Sequence, residues 1–141
     1  MILIIDDDHA VQTSLQLLLG SEGFVVKDTA SPDKAMAILS NETVSLVILD
    51  LNFSIETSGV EGMHLLRRIR EQHPSVPVIL ITGWGTIDLA VQGMKLGAND
   101  FINKPWDNAH LLQSVQTLLQ LQLNRPVHHS RQQLDNLYQF G

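Results

Sequence analysis

Acidic, hydroxyl and basic residues follow four short apolar runs of the sequence. They are Asp6, Asp7 and Asp8 after the first run, Asp50 after the third, Thr82 after the fourth, and Lys104-Pro105 after the fifth. Crowded carboxylates repel one another, which raises their pKa values or destabilises the fold. A divalent cation removes this penalty, and Mg²⁺ suits one or two carboxylates with waters and phosphate oxygens. With a hydroxyl and an ammonium as further phosphate ligands, the set predicts Mg²⁺-dependent phosphoryl chemistry with a carboxylate as nucleophile.

Composition excludes several other kinds of chemistry. The 141-residue chain has no cysteine, which rules out disulfides, cysteine-ligated zinc, iron–sulfur clusters and thiol catalysis. The patterns G-x-x-x-x-G-K-[ST] and G-x-G-x-x-G are absent, so ATP is not expected as a direct substrate. A net charge of −6 argues against binding nucleic acid through this chain itself. We expect no membrane span or secretory signal, and a cytoplasmic protein.

The apolar runs alternate with stretches of helical periodicity. The runs predict buried parallel strands at residues 2–5, 24–27, 46–49, 78–81 and 101–102. Between them, apolar residues recur at helical spacing, as in Val11, Leu15, Leu18 and Leu19. Five β-α units predict an α/β fold, a five-stranded parallel sheet with right-handed crossovers and helices on both faces. Ligands bind such sheets beyond the carboxyl ends of the strands, where the polar residues lie.

The character of the sequence changes after residue 123. Residues 124–133 are polar and contain a proline, and Leu134, Leu137 and Tyr138 then restart an apolar helical stripe. We therefore expect one domain over residues 1–123, followed by a linker and the start of a helix over residues 124–141.

The ordered set of residues at the strand ends resembles the receiver domain of bacterial two-component response regulators. The residues that carry the resemblance are Asp6-Asp7, Asp50, Thr82-Gly83 and Lys104-Pro105. The resemblance covers about residues 1–123. It implies a flavodoxin-like (βα)5 fold with strand order 2-1-3-4-5.

The resemblance also implies a role for each site residue. Asp50 would accept a phosphoryl group from a sensor histidine kinase. Mg²⁺ would be bound directly by Asp7, mainly through water by Asp6, by Asp50, and by the backbone carbonyl of Asn52. Thr82 would bond the phosphoryl group, and Lys104 would hold it as a counter-charge. The switch residues would be Thr82 and the aromatic Phe101. The chain would be no enzyme towards other substrates, and would catalyse only its own Mg²⁺-dependent phosphorylation and dephosphorylation.

Two segments narrow the resemblance further. KPWDNAHL (residues 104–111) and DLNFSIETSGVEG (residues 50–62) resemble receivers of sigma-54-dependent enhancer-binding activators. In that family a linker helix leads into an AAA+ ATPase, and residues 131–141 resemble that approach. The resemblance implies a transcription-activating output beyond this chain, with DNA contacted only through the missing domains.

Two other functions stay open from the residues alone. Asp6 and Asp8 also fit the nucleophile and general acid of a haloacid-dehalogenase-like phosphatase. A stand-alone adaptor receiver is the other alternative. The residue that carries phosphate would separate the first two hypotheses, Asp50 for the switch and Asp6 for the phosphatase.

The last predicted helix carries more leucine than one packed face needs. Leu111, Val115, Leu118 and Leu119 form one stripe, whereas Leu112, Leu121 and Leu123 lie outside it. Because surplus apolar residues mark partner surfaces, we expect a homodimer through the fourth helix, fifth strand, fifth helix and tail.

Overall fold

A computed structural model describes residues 1–51, 60–83 and 87–123. The elements are β1 (Ile2–Ile5), α1 (His9–Ser21), β2 (Val26–Thr29), α2 (Pro32–Asn41), β3 (Leu46–Asp50), α3 (Val60–Gln72), β4 (Val78–Thr82), α4 (Ile87–Lys95), β5 (Asp100–Asn103) and α5 (Asn108–Leu123). The strands form one five-stranded sheet in the order β2-β1-β3-β4-β5, and every neighbouring pair is parallel. The expected α/β fold and strand order are confirmed.

Alternation along the strands divides the core between the two faces of the sheet. In β1, Leu3 and Ile5 face the layer formed by α2, α3 and α4. Ile2 and Ile4 face the layer formed by α1 and α5. Both sets are buried because successive side chains of a strand point to opposite faces and each face is covered by helices. The five strands therefore end together at one helix-flanked edge, where the candidate site lies.

The predicted position of β2 is wrong by two residues. The sequence indicated residues 24–27, whereas the strand spans Val26–Thr29. Val25 is exposed although apolar, and its carbonyl accepts from the Ile2 amide at 2.8 Å just before the paired segment begins. An edge strand is less buried than a central one, so polar Lys27 and Asp28 fit within it and apolar content alone misplaces its start.

At the amino edge of the sheet, Arg70 joins two loops. Its Nη1 donates to the carbonyl oxygens of His73, Pro74 and Val76, and its Nη2 donates to the Gly97 carbonyl at 2.7 Å and to Asn99 Oδ1 at 3.3 Å. Burial lowers the pKa of Arg70 from its ordinary value. The guanidinium thus fixes the start of β4 to the turn that precedes β5.

Gly97 allows Arg70 to approach the backbone closely. It has a φ of +115° at the end of α4, and a Cβ there would lie 2.9 Å from Arg70 Nε. Glycine meets both requirements, since it accepts positive φ and leaves room for the side chain.

None of the helices that the structure describes is long and apolar enough to cross a membrane.

Candidate functional site

Strand register brings the predicted carboxylates together. Ile5 pairs with Leu49 across β1 and β3, so the next residues, Asp6 and Asp50, lie side by side at the carboxyl edge. Asp6 is 1 % exposed and Asp50 2 % exposed. Two buried carboxyl groups at neighbouring strand ends are unusual unless a cation or a proton balances them.

Lys104 supplies one balancing charge. Its Nζ lies 2.7 Å from Asp50 Oδ2, and the lysine side chain is 26 % exposed where the aspartate side chain is 2 % exposed. The Lys104 amide also donates to the Thr82 carbonyl at 2.7 Å, which fixes the start of the β5–α5 connection against the end of β4. The peptide bond between Lys104 and Pro105 is cis. The lysine is thus placed to pair with Asp50, or with a negative group attached to it.

Asp6 is the second buried carboxyl group of the site, beside Asp50. Its Oδ1 accepts from the Asp8 amide at 2.9 Å, whereas its Oδ2 is buried with no hydrogen-bond donor among the described residues. Burial, opposed by that amide bond and reinforced by Asp50, raises the pKa of Asp6 to about 7. A buried carboxylate oxygen without a donor indicates a place for a cation or a proton.

Asp7 and Asp8 have separate environments. The Asp8 side chain caps α1 and accepts from the amides of Ala10 and Val11 at 2.9 and 3.4 Å. Asp7 is exposed at the same edge. The cap engages Oδ1 of Asp8 and holds its side chain over the first turn of α1, so Asp7 is the better-placed of the two for an added ligand.

The donors at this edge fit a magnesium ion. Within residues 1–51, 60–83 and 87–123, no three His, Cys, Asp or Glu side chains converge as a preformed ligand set. Mg²⁺ does not require such a set, because it uses one or two carboxylates and keeps several waters. The donor-free Asp6 Oδ2 and the repulsion between Asp6 and Asp50 are the features that a cation would relieve.

Replacing Asp7 by Ala should weaken Mg²⁺ binding about tenfold, as for the loss of a ligand or its close support. Asp8→Ala should leave Mg²⁺ affinity nearly unchanged and lower the free energy of unfolding by about 1 kcal/mol through loss of the helix cap. Calorimetric titration with Mg²⁺ and urea unfolding measure the two effects separately. A larger loss of affinity in Asp8→Ala than in Asp7→Ala would contradict this assignment.

Thr82 is present at the edge, but its hydroxyl is directed to a neighbour. The residue is fully buried, and its Oγ1 donates to Asn103 Oδ1 at 2.8 Å. Asn103 is the direct partner of Thr82 in the β4–β5 register. Phe101, two residues earlier on β5, is half-buried and packs on the core layer shared with α2, α3 and α4. Thr82, Asn103 and Phe101 are therefore neighbours on one corner of the sheet.

Sequence reasoning missed two residues that shape the edge. Asn103 was overlooked because a lone asparagine before a lysine has no motif of its own. Gly62 lies at the start of α3 so close to Leu51 that a Cβ would stand 2.9 Å from the Leu51 carbonyl oxygen. The signal for Gly62 was its position soon after Asp50, since glycine permits close backbone approach.

Some predicted features lie outside the described residues. The backbone carbonyl of Asn52 belongs to residues 52–59, and the proposed linker belongs to residues 124–141.

Two of the surplus leucines of α5 differ in exposure. Leu112 is half-buried and packs on the layer of α1 and α5, so its expected exposure is not found. Leu121 is 61 % exposed, in agreement with the expectation.

Comparison with known proteins identifies the family. Residues 2–116 match the response regulator receiver domain family. The chain belongs to this family. It is 40 % identical over 116 residues to the response regulator protein FleR of Pseudomonas aeruginosa, covering 81 % of this chain and 23 % of FleR. It is also 40 % identical over 114 residues to the C4-dicarboxylate transport transcriptional regulatory protein DctD of Rhizobium meliloti, covering 81 % of this chain and 24 % of DctD.

Solved receiver structures agree with the fold. The receiver domain of NtrX from Brucella abortus superposes with a TM-score of 0.79 at 32 % identity, covering 85 % of this chain and 98 % of that chain. A signal receiver domain from Bacteroides fragilis gives a TM-score of 0.74 at 40 % identity, covering 84 % and 94 %. The receiver resemblance is thereby confirmed. The chain spans about a quarter of the length of the curated relatives FleR and DctD.

The phosphatase and adaptor alternatives are not favoured. The family match covers both strand-end carboxylates and the lysine, and the phosphatase hypothesis would need Asp8 as a free general acid. The Asp8 carboxylate is instead occupied as the cap of α1. As a response regulator receiver, the chain is a signalling protein, and sensor histidine kinases phosphorylate this family.

Proposed function

We propose that this receiver is phosphorylated on Asp50 and that the modification controls a transcription-activating output. The observation that carries the proposal is the buried Asp50 carboxylate, 2.7 Å from the Lys104 ammonium. Beside it lies Asp6 Oδ2, to which no residue in the described part of the chain donates. A nucleophile, a counter-charge and a place for a cation therefore share one edge. The chain would catalyse only its own phosphorylation and dephosphorylation.

The transfer step follows from the chemistry of the groups. An Asp50 carboxylate oxygen attacks the phosphorus of the kinase phosphohistidine, forming a phosphorus–oxygen bond. The phosphorus–nitrogen bond breaks and its electron pair returns to the imidazole. Lys104 exchanges its carboxylate partner for a phosphoryl oxygen, which offers a charge-assisted hydrogen bond. Thr82 would donate to another phosphoryl oxygen after its hydroxyl leaves Asn103.

Mg²⁺ would be held by Asp7, Asp50 and the Asn52 carbonyl. Asp6 would act on the ion mainly through water. The ion supplies charge neutralisation for the phosphoryl oxygens and for the carboxylates. The fit rests on the buried Asp6 oxygen that receives no hydrogen bond from residues 1–51, 60–83 and 87–123.

The proposed output lies in a longer protein. Residues 1–123 would form the receiver and residues 124–141 a linker towards an AAA+ ATPase of the sigma-54-dependent activator type. The name of DctD includes a transcriptional regulatory function, which supports a transcriptional output. DNA would be contacted only through such additional domains, and the proposed setting is the cytoplasm.

A phosphorylation-sensitive homodimer through α4, β5, α5 and the tail is part of the proposal. Apolar side chains on these helices are accessible, with Val91 46 %, Met94 37 % and Leu121 61 % exposed. Burying a fully exposed apolar side chain contributes roughly 1.5–3 kcal/mol, so each of these partly exposed side chains would contribute about half of that to an interface. Light scattering with and without a phosphoryl analogue should show a change in mass, reduced by Val91→Ser. A monomer in every condition at high concentration would remove the dimer from the proposal.

The function is tested by incubating the protein with acetyl phosphate in the presence of Mg²⁺ or of a chelator. We expect one added phosphoryl group in intact mass spectra, only with Mg²⁺. Peptide mapping after borohydride reduction should place it on Asp50. A label on Asp6, or equal labelling with the chelator, would contradict the proposal.

A further inference from the structure

The bond between Thr82 and Asn103 has a consequence for the switch. Thr82 Oγ1 donates to Asn103 Oδ1 at 2.8 Å, and the two residues are register partners. The backbone bond from the Lys104 amide to the Thr82 carbonyl, at 2.7 Å, holds the two strand ends together. The side-chain bond is therefore supported by the sheet itself.

The Thr82 hydroxyl has one proton to donate. It can satisfy Asn103 or a phosphoryl oxygen, but not both with full strength. The threonine is fully buried, so water is poorly placed to replace a lost partner. Asn103 is exposed, so its amide can be hydrated once the hydroxyl leaves. The exchange therefore takes Thr82 from one protein acceptor to another acceptor, and leaves no buried group unpaired.

We propose that Asn103 is a positioning residue that competes with the phosphoryl group for the Thr82 hydroxyl. The inference rests on the proposed function, because it requires a phosphoryl group on Asp50. In the resting protein Asn103 holds Thr82 away from the phosphoryl position. A phosphoryl oxygen prevails because its bond is charge-assisted, yet each switching event includes loss of the Asn103 bond. Asn103 thereby sets how readily the phosphorylated arrangement forms.

Beryllofluoride, a phosphoryl analogue, tests this with Mg²⁺ present. Asn103→Ala should bind the analogue about two- to tenfold more tightly than the wild type, the range expected for removing one competing neutral hydrogen bond. Calorimetry gives the affinity. Asn41→Ala, an exposed asparagine at the end of α2, is the matched control and should bind like the wild type.

A double-mutant cycle separates competition from a general structural effect. In a Thr82→Val background there is no hydroxyl to compete for, so adding Asn103→Ala should leave affinity unchanged. In a Thr82→Ser background the hydroxyl is retained, and the tightening should return. Thermal unfolding of each variant confirms that the folded protein is being compared.

Each outcome has one interpretation. Unchanged or weaker binding in Asn103→Ala would overturn the competition, as would equal tightening in the Thr82→Val background. If the wild type neither binds the analogue nor becomes labelled on Asp50, the proposed function itself fails, and the inference with it. Tightening that depends on the hydroxyl supports the role of Asn103.

Discussion

Asp50→Asn is expected to reduce phosphoryl labelling by about a thousandfold or more, as for removal of an essential nucleophile. The amide nitrogen does not attack phosphorus, and the remaining amide oxygen lacks the negative charge of a carboxylate. Shape and volume are nearly conserved, so the fold should persist, although the Lys104 ammonium loses the negative charge of the partner that lies 2.7 Å away. Labelling with acetyl phosphate, followed by intact mass spectra, measures the loss.

Asp33→Asn is the matched control for this experiment. Its carboxylate is 91 % exposed and lies 3.5 Å from Arg68, so the same atomic change is made far from the site. Exposed ion pairs of this kind contribute 0 to about 1 kcal/mol, and labelling should be as in the wild type. Retained labelling in Asp50→Asn would show that another carboxylate is the acceptor.

Asp6→Asn is expected to stabilise the metal-free protein above neutral pH. Burial, together with Asp50, raises the pKa of Asp6 from 3.8 to about 7. The native state therefore holds more protons on this group than the unfolded chain does between these pH values, and stability falls as the pH rises through that window. The loss is absent below the unfolded pKa and complete above the folded pKa.

The asparagine side chain does not titrate, so the variant should lack this fall of stability with rising pH. One unit of pKa corresponds to about 1.4 kcal/mol. Because the buried asparagine amide has a desolvation cost of its own, we expect a gain of about 2 kcal/mol near pH 8, less than the full shift would give. Urea unfolding from pH 5 to pH 8, with Asp33→Asn as control, measures the difference in slope.

Mg²⁺ gives an internal check on the same variant. The ion should stabilise the wild type, which presents a charged Asp6 to it. Added Mg²⁺ should therefore narrow or reverse the difference in free energy of unfolding between Asp6→Asn and the wild type. Parallel pH profiles for Asp6→Asn and the wild type without Mg²⁺ would contradict the raised pKa as the cause.

Much of the fold was predictable because the central strands carry strong signals. The β1, β3 and β4 segments are short, continuous apolar runs buried on both faces. Such runs are typical of central strands in a parallel sheet. The edge strand β2 was misplaced, since Lys27 and Asp28 lie within it and exposed Val25 lies outside it. Local composition does not report which strand lies at an edge.

The site was predictable as a set of positions but not as a set of contacts. Strand ends in a parallel sheet converge, so the proximity of Asp6, Asp50 and Lys104 followed from the order of elements. The acceptor of the Thr82 hydroxyl did not, because it depends on the β4–β5 register and on a side-chain rotamer. That no described residue donates to Asp6 Oδ2 likewise depends on how closely the two strand ends are covered.

The five hydrogen bonds of Arg70 hold β4 and β5 together more firmly at the amino ends of the two strands than at their carboxyl ends. At the amino ends, one guanidinium spans both loops through its two Nη groups, and lysine could not replace it because an ammonium presents its donors from one nitrogen rather than from a planar fork. At the carboxyl ends, the described residues join the strands through one neutral side-chain bond, from Thr82 to Asn103, and through the backbone bond from the Lys104 amide to the Thr82 carbonyl. We therefore expect any displacement of β5 relative to β4 to be smallest near Gly97 and Asn99 and largest beside Lys104.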